Sequence, residues 1–133
     1  MPEIPPQGMS QVIPYLFYRD VPKAVNWLEK AFGFERVLIH PTPNNRHHGE
    51  MRYGSGIIMM GTSAAEFGTK TPHDAAARTH GTFIYLAEVD AHFARAKAVG
   101  AEIVEEPVDR DYGRTYWARD LDGHDWFFTT PPS

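Results

Sequence analysis

Two stretches of the chain carry the same order of apolar and polar positions. Residues 23–37 (KAVNWLEKAFGFERV) place Val25, Leu28 and Phe32 at helical spacing, with Trp27 and Ala31 widening the stripe. Gly33, an acidic residue and a new apolar run follow. Residues 91–104 (AHFARAKAVGAEIV) repeat the order around Gly100. Each stretch is preceded by a strand-like run, VIPYLFYRD at 12–20 and TFIYLAEVD at 82–90. The two glycines lie about half the chain apart. Two copies are too few for a solenoid. The pattern predicts a duplicated module whose halves pack on each other, with a functional site where they meet.

The finer pattern orders the elements. Residues 1–10 are rich in proline and predict an arm. Residues 11–18 predict a strand, with Ile13, Tyr15 and Phe17 on one face and Val12, Leu16 and Tyr18 on the other. Pro14 confines it to a position that needs no ladder donor there. Asp20 is placed to cap a helix with Pro22 in its first turn, and Gly33 to end it. Strands follow near 34–40, 47–53 and 56–61, with Gly54 and Gly56 marking a hairpin. Residues 62–80 have no period and read as a connection. The second module predicts strand 81–88, helix 90–99, strand 102–106, loop 107–113, strand 114–119, turn 120–124 and strand 125–130. The order βαβββ thus occurs twice. The fold class is α+β, in one domain over 1–133, with module one at about 11–61 and module two at about 81–130. Both first strands are apolar on both faces, so each sheet needs cover on both sides. A helix covers one side, leaving the other for the partner module or a ligand.

Composition removes several function classes. A net charge of −4 gives no basic footprint for nucleic acid. No apolar run reaches membrane-spanning length, so no membrane partner is expected. The opening MPEIPPQGMSQ lacks the order of a secretory signal, and a cytoplasmic location is expected. With no cysteine, thiolate metal sites and cysteine nucleophiles are excluded. Ser10, Ser55 and Ser63 lack a nucleophile-elbow context, and glycines 54, 56 and 61 form no phosphate loop.

The duplicated βαβββ order, with YGRTYWARDLDGHDWFF at 112–128, resembles the vicinal oxygen chelate superfamily. That group holds glyoxalase I, extradiol dioxygenases, fosfomycin-modifying enzymes and bleomycin-resistance proteins. The resemblance runs from about residue 11 to 130 and is nearest the small bleomycin-resistance-like members. It implies two modules forming a curved mixed sheet around a concave pocket, and a homodimer. Asp120, Asp122 and Gly123 inside the motif are what a tight strand–strand turn requires.

Metal-dependent members of that superfamily carry His or Glu on the first and last strand of each module. Carried over by spacing, those positions fall on Ile13, Met59, Thr82 and Phe127. Ile13 matches Thr82, and Met59 matches Phe127, within the repeat. None is a normal metal ligand. A slip of one residue brings Val12 or Pro14, Ile58 or Met60, Gly81 or Phe83, and Trp126 or Phe128, which bind metal no better. No metal and no cofactor are therefore expected. His48 and Glu50 share a strand face, with His47 opposite, and read as contacts for a polar ligand.

The same carry-over gives a pocket lining of Ile13, Tyr15, Phe17 and Met59, then Thr82, Ile84 and Leu86, then Asp125, Phe127 and Thr129. Trp117 adds a polar tip, and Tyr112, Arg114 and Tyr116 rim the pocket. Arg114 and Arg119 can instead pair with nearby carboxylates. An apolar, aromatic-rich concavity suits a flat organic molecule. The expected function is metal-free binding and sequestration of an apolar or aromatic compound, with no residue assigned to catalysis. The alternatives are a metal-dependent glyoxalase-like lyase, isomerase or dioxygenase, and an interaction module with a filled cavity.

Overall fold

The computed structural model describes all residues, Met1–Ser133. The chain resolves into two compact units, Met1–Glu29 with Gly33–Lys70, and Lys30–Phe32 with Thr71–Ser133. No helix is long and apolar enough to cross a membrane.

In the first unit, β1 spans Tyr15–Tyr18, shorter than the expected 11–18. Pro14 has no N–H to give, so the ladder starts after it, although its carbonyl accepts from the Met59 amide at 3.0 Å. The helix α1 spans Val21–Phe32. Its start follows the expected chemistry: the Asp20 carboxylate accepts from the Lys23 amide at 3.1 Å, and Pro22 sits in the first turn. Gly33 ends it in the left-handed region, φ 78°. Val21, Ala24, Val25 and Leu28 form its fully buried stripe. Strands β2 (Glu35–Thr42), β3 (Arg46–Tyr53) and β4 (Gly56–Thr62) complete a sheet of order β1-β4-β3-β2. β1 runs parallel to β4, and the other pairs are antiparallel. Leu16, Tyr18, Met51 and Met60 fill the core. Gly49 lets helix and sheet approach closely, since a Cβ there would lie 2.9 Å from Val21 Cγ1.

The connection from 62 to 80 is not featureless. It holds a 3-10 turn at Ala65–Phe67 and a one-turn helix, α2, at Pro72–Ala75. Thr71 caps α2 by accepting from the Asp74 amide at 3.2 Å.

The second unit repeats the arrangement with β5 (Gly81–Tyr85), α3 (Val89–Val99), β6 (Glu102–Arg110), β7 (Gly113–Arg119) and β8 (Asp125–Thr130). Its sheet order is β5-β8-β7-β6, with β5 parallel to β8. The fold class is as expected: α+β, with βαβββ twice and one mixed four-stranded sheet per module. β6 runs through much of the expected loop 107–113. It pairs on one side only, and its register slips between Glu105 and Val108, which accommodates Pro107. The core joins Tyr116, Ala118, Trp126 and Phe128 to Phe32, the last residue of α1. The turn between β7 and β8 is built by Asp120, whose carboxylate accepts from the amides of Asp122 and His124 and from the Trp126 indole.

Candidate functional site

Each sheet has one face packed as core and one face that carries the candidate residues. In the first unit, alternation puts Leu16, Tyr18, Met51 and Met60 in the core. Tyr15, Phe17, His48, Glu50 and Met59 lie on the other face, since Tyr15 is opposite Met59 and Met59 is opposite Glu50. Tyr15 is 47% exposed. Its ring lies over Gly61, where a Cβ would come within 2.7 Å of the phenol oxygen. Ile13, expected in the lining, lies before β1 begins and belongs to no strand face.

Three of these side chains are joined by hydrogen bonds. Tyr15 Oη lies 3.1 Å from His48 Nδ1, and His48 Nε2 lies 2.9 Å from Glu50 Oε2. The His40 ring of β2 is tilted against His48 at 5.1 Å. Burial, and then the Glu50 carboxylate, push the Tyr15 phenol above its ordinary pKa. Tyr15 therefore keeps its proton at neutral pH.

In the second unit, Phe83 is opposite Phe127, and Phe127 is opposite Trp117. These side chains, with Tyr85, Asp125 and Arg119, share one face. Phe83 and Tyr85 are 46% and 62% exposed, and Tyr112, at 50%, stands 6.3 Å from Phe83. Trp117 and Phe127 pack at 5.1 Å. Phe127 lies over Gly81, where a Cβ would approach Phe127 Cε2 to 2.6 Å. Asp125 organises the polar end. Its Oδ1 accepts from Trp117 Nε1 and from Arg119 Nε, each at 2.9 Å, and Arg119 also holds Glu102 at 2.8 Å.

Three further expected positions need correction. Thr82 is opposite Trp126, a fully buried core residue, so it lies on the core face with Ile84 and not beside Phe127. Its Oγ1 is buried without a hydrogen-bond partner. The repeat places Phe83, not Thr82, in the position that Tyr15 holds in the first module, because each is opposite the residue expected at the last strand, Met59 or Phe127. Arg114 is on the Tyr116 side of β7, where it pairs with Asp90 of α3 at 3.1 Å and with Asp109 at 3.2 Å. There it borders a cleft of about 390 Å³ lined also by Arg110, Thr130 and the C-terminal residues. That cleft is separate from the aromatic face. Thr129, expected in the lining, is fully buried and donates to Thr115 Oγ1 at 2.8 Å.

Sequence reasoning did not single out Tyr85, Gly61, Gly81 or His40. A glycine facing a large aromatic across paired strands is a signal that strand register alone would reveal.

A family model described as Glyoxalase/Bleomycin resistance protein/Dioxygenase superfamily matches residues 9–128. The fold is similar to the crystal structure of TioX from Micromonospora sp. ML1, with TM-score 0.73 and 33% identity over 92% of this chain and 99% of that one. It is also similar to the genomically encoded fosfomycin resistance protein FosX from Listeria monocytogenes, with TM-score 0.70 and 16% identity over 92% of each chain. A third likeness is UcmS2, with TM-score 0.69 and 17% identity over 91% of this chain and 98% of that one. No curated protein matches the chain in sequence.

Proposed function

The chain belongs to the glyoxalase/bleomycin resistance protein/dioxygenase superfamily, and from that premise we propose that it is a metal-free binding protein that sequesters an apolar or aromatic small molecule. The observation that carries this reading is the aromatic face of the second sheet. Phe83, Tyr85, Tyr112, Trp117 and Phe127 present rings on a face where Phe83, Tyr85 and Tyr112 remain about half exposed. A core has no use for rings left in water. A ring stacked on a flat ligand contributes about 0.5–1.5 kcal/mol beyond its area burial.

The donor chemistry does not fit the metal of the superfamily's metal-dependent members. Once the register is corrected, the expected positions hold Tyr15, Met59, Phe83 and Phe127 in place of the Ile13 and Thr82 read from spacing. No three His, Asp or Glu side chains are grouped so as to hold an ion. His48 and Glu50 supply one imidazole and one carboxylate, already bonded to each other. The metal-dependent reading therefore stands second.

The test follows tryptophan fluorescence, to which Trp27, Trp117 and Trp126 all contribute, while planar aromatic compounds are titrated, with elemental analysis of protein purified without a His tag. Phe127 is only partly buried, so Phe127→Ala should keep a cooperative melt, lose a few degrees at most and weaken a wild-type ligand about tenfold. No binder in a broad aromatic library, together with collapse of Phe127→Ala, would sink the reading. So would one tightly held, chelator-removable divalent ion per chain.

A further inference from the structure

On the face of the first sheet, a hydrogen-bonded chain runs from Glu50 through His48 and ends at Tyr15. Its proton positions follow from donor and acceptor chemistry. An ionised carboxylate only accepts, so the proton on the Glu50 side sits on His48 Nε2, 2.9 Å away. In the tautomer with its one proton on Nε2, His48 has a lone pair on Nδ1, and the Tyr15 hydroxyl, 3.1 Å away, donates to it. The only proton of the phenol is thus turned inward. Its oxygen is left with lone pairs on an exposed face, made more electron-rich because the carboxylate polarises the imidazole and the imidazole polarises the phenol. Gly61 leaves the room beneath the ring that this pose needs.

We infer that Glu50, His48 and Tyr15 form a fixed acceptor anchor on the face of the first sheet, and that this face takes an aromatic compound carrying a phenolic hydroxyl or ring N–H that donates to Tyr15. This deepens the binding reading and rests on it. The adjoining Glu50 carboxylate also disfavours an anionic group at that position. Three titratable groups lie close to His48: Tyr15 from β1, Glu50 from its own strand and His40 from β2.

Calorimetric titration with three probes tests the inference: 2-naphthol, 2-methoxynaphthalene and 2-naphthoate. Wild type should favour 2-naphthol over the ether by about tenfold, the scale of one hydrogen bond to a polarised acceptor, and should bind the carboxylate more weakly still. Tyr15→Phe should bind naphthol and ether alike. Glu50→Gln can donate to Nε2, so it frees the imidazole tautomer and should lower the preference. Gly61→Ala, which pushes the Tyr15 ring off its seat without removing it, should do the same.

Equal binding of naphthol and ether by wild type would overturn the anchor while leaving a binding role intact. So would a naphthol preference that survives Tyr15→Phe. If no probe binds, the inference is overturned, while the binding reading is still decided by the wider aromatic library and Phe127→Ala. Imidazole ¹⁵N shifts should show His48 protonated at Nε2 alone, and protonation at Nδ1 would overturn the anchor.

Discussion

Asp120 uses both carboxylate oxygens to shape the turn between β7 and β8. Oδ1 accepts from the amides of Asp122 and His124, and Oδ2 from the Trp126 indole at 2.9 Å. Asp120 is 5% exposed. Asp120→Ala would leave two amides and an indole N–H without their acceptor. A hydrogen bond to a charged group is worth roughly 1.5–3 kcal/mol, so the variant should lose about 3 kcal/mol in a denaturant titration. A loss below about 1 kcal/mol would mean that water replaces the carboxylate. This turn was legible in the sequence, because Asp and Gly at those positions have few other uses. Gly123 sits at φ 91° against the His73 ring, where no side chain fits. The facing of Thr82 was not legible. TFIYL is apolar at every position but the first, so alternation gives no parity. Only pairing with β8 shows that Phe83, not Thr82, shares the face of Phe127.

At the scale of elements, the two helices differ in how they were read. α1 has a clean apolar stripe, a capping aspartate and a terminal glycine, and its bounds followed from those signals. α3 buries only Val89, His92 and Ala96, and its seat depends on a polar residue that periodicity does not single out. His92 Nε2 donates to the Phe32 carbonyl at 2.8 Å, and the Tyr116 hydroxyl donates to Nδ1 at 2.6 Å. A neutral, Nε2-protonated ring serves both. Burial lowers its pKa, the bond to Phe32 opposes the shift, and Arg95 adds to the lowering. The sign follows: the unfolded chain takes up this proton more readily, so the contribution of His92 is complete above an unfolded pKa of about 6.5 and is lost as pH falls through the folded value. An NMR titration should place the His92 midpoint below 6.5, the ordinary histidine value. A midpoint at or above that value would remove the argument. His92→Gln should flatten part of the loss of melting temperature on acidification. β6 was the poorly read strand, because Pro107 signals an end to a strand, yet an edge position tolerates it.

At the scale of the whole molecule, the repeat extends further than the helices and glycines that first showed it. Each sheet has an irregularity in its outer strand, between Arg36 and Leu38 in β2 and between Ile103 and Glu105 in β6. The sequence gives no sign of these, since a bulge is a property of pairing. Bulges blunt an edge against open-ended strand addition. Tyr15, Phe83, Tyr85 and Tyr112, each about half exposed, still leave more aromatic surface in water than a lone soluble chain commonly shows. Association that hides this surface without using the edges should be closed and two-fold, the commonest symmetry of soluble oligomers. We therefore expect a homodimer that shields the aromatic faces while leaving room for a ligand. Light scattering should give twice the 15.0 kDa of one chain, unchanged as concentration rises through the micromolar range. A single-chain mass would refute the dimer. Species that keep growing with concentration would show that the edges pair after all, and that the bulges at Val37 and Val104 do not protect them.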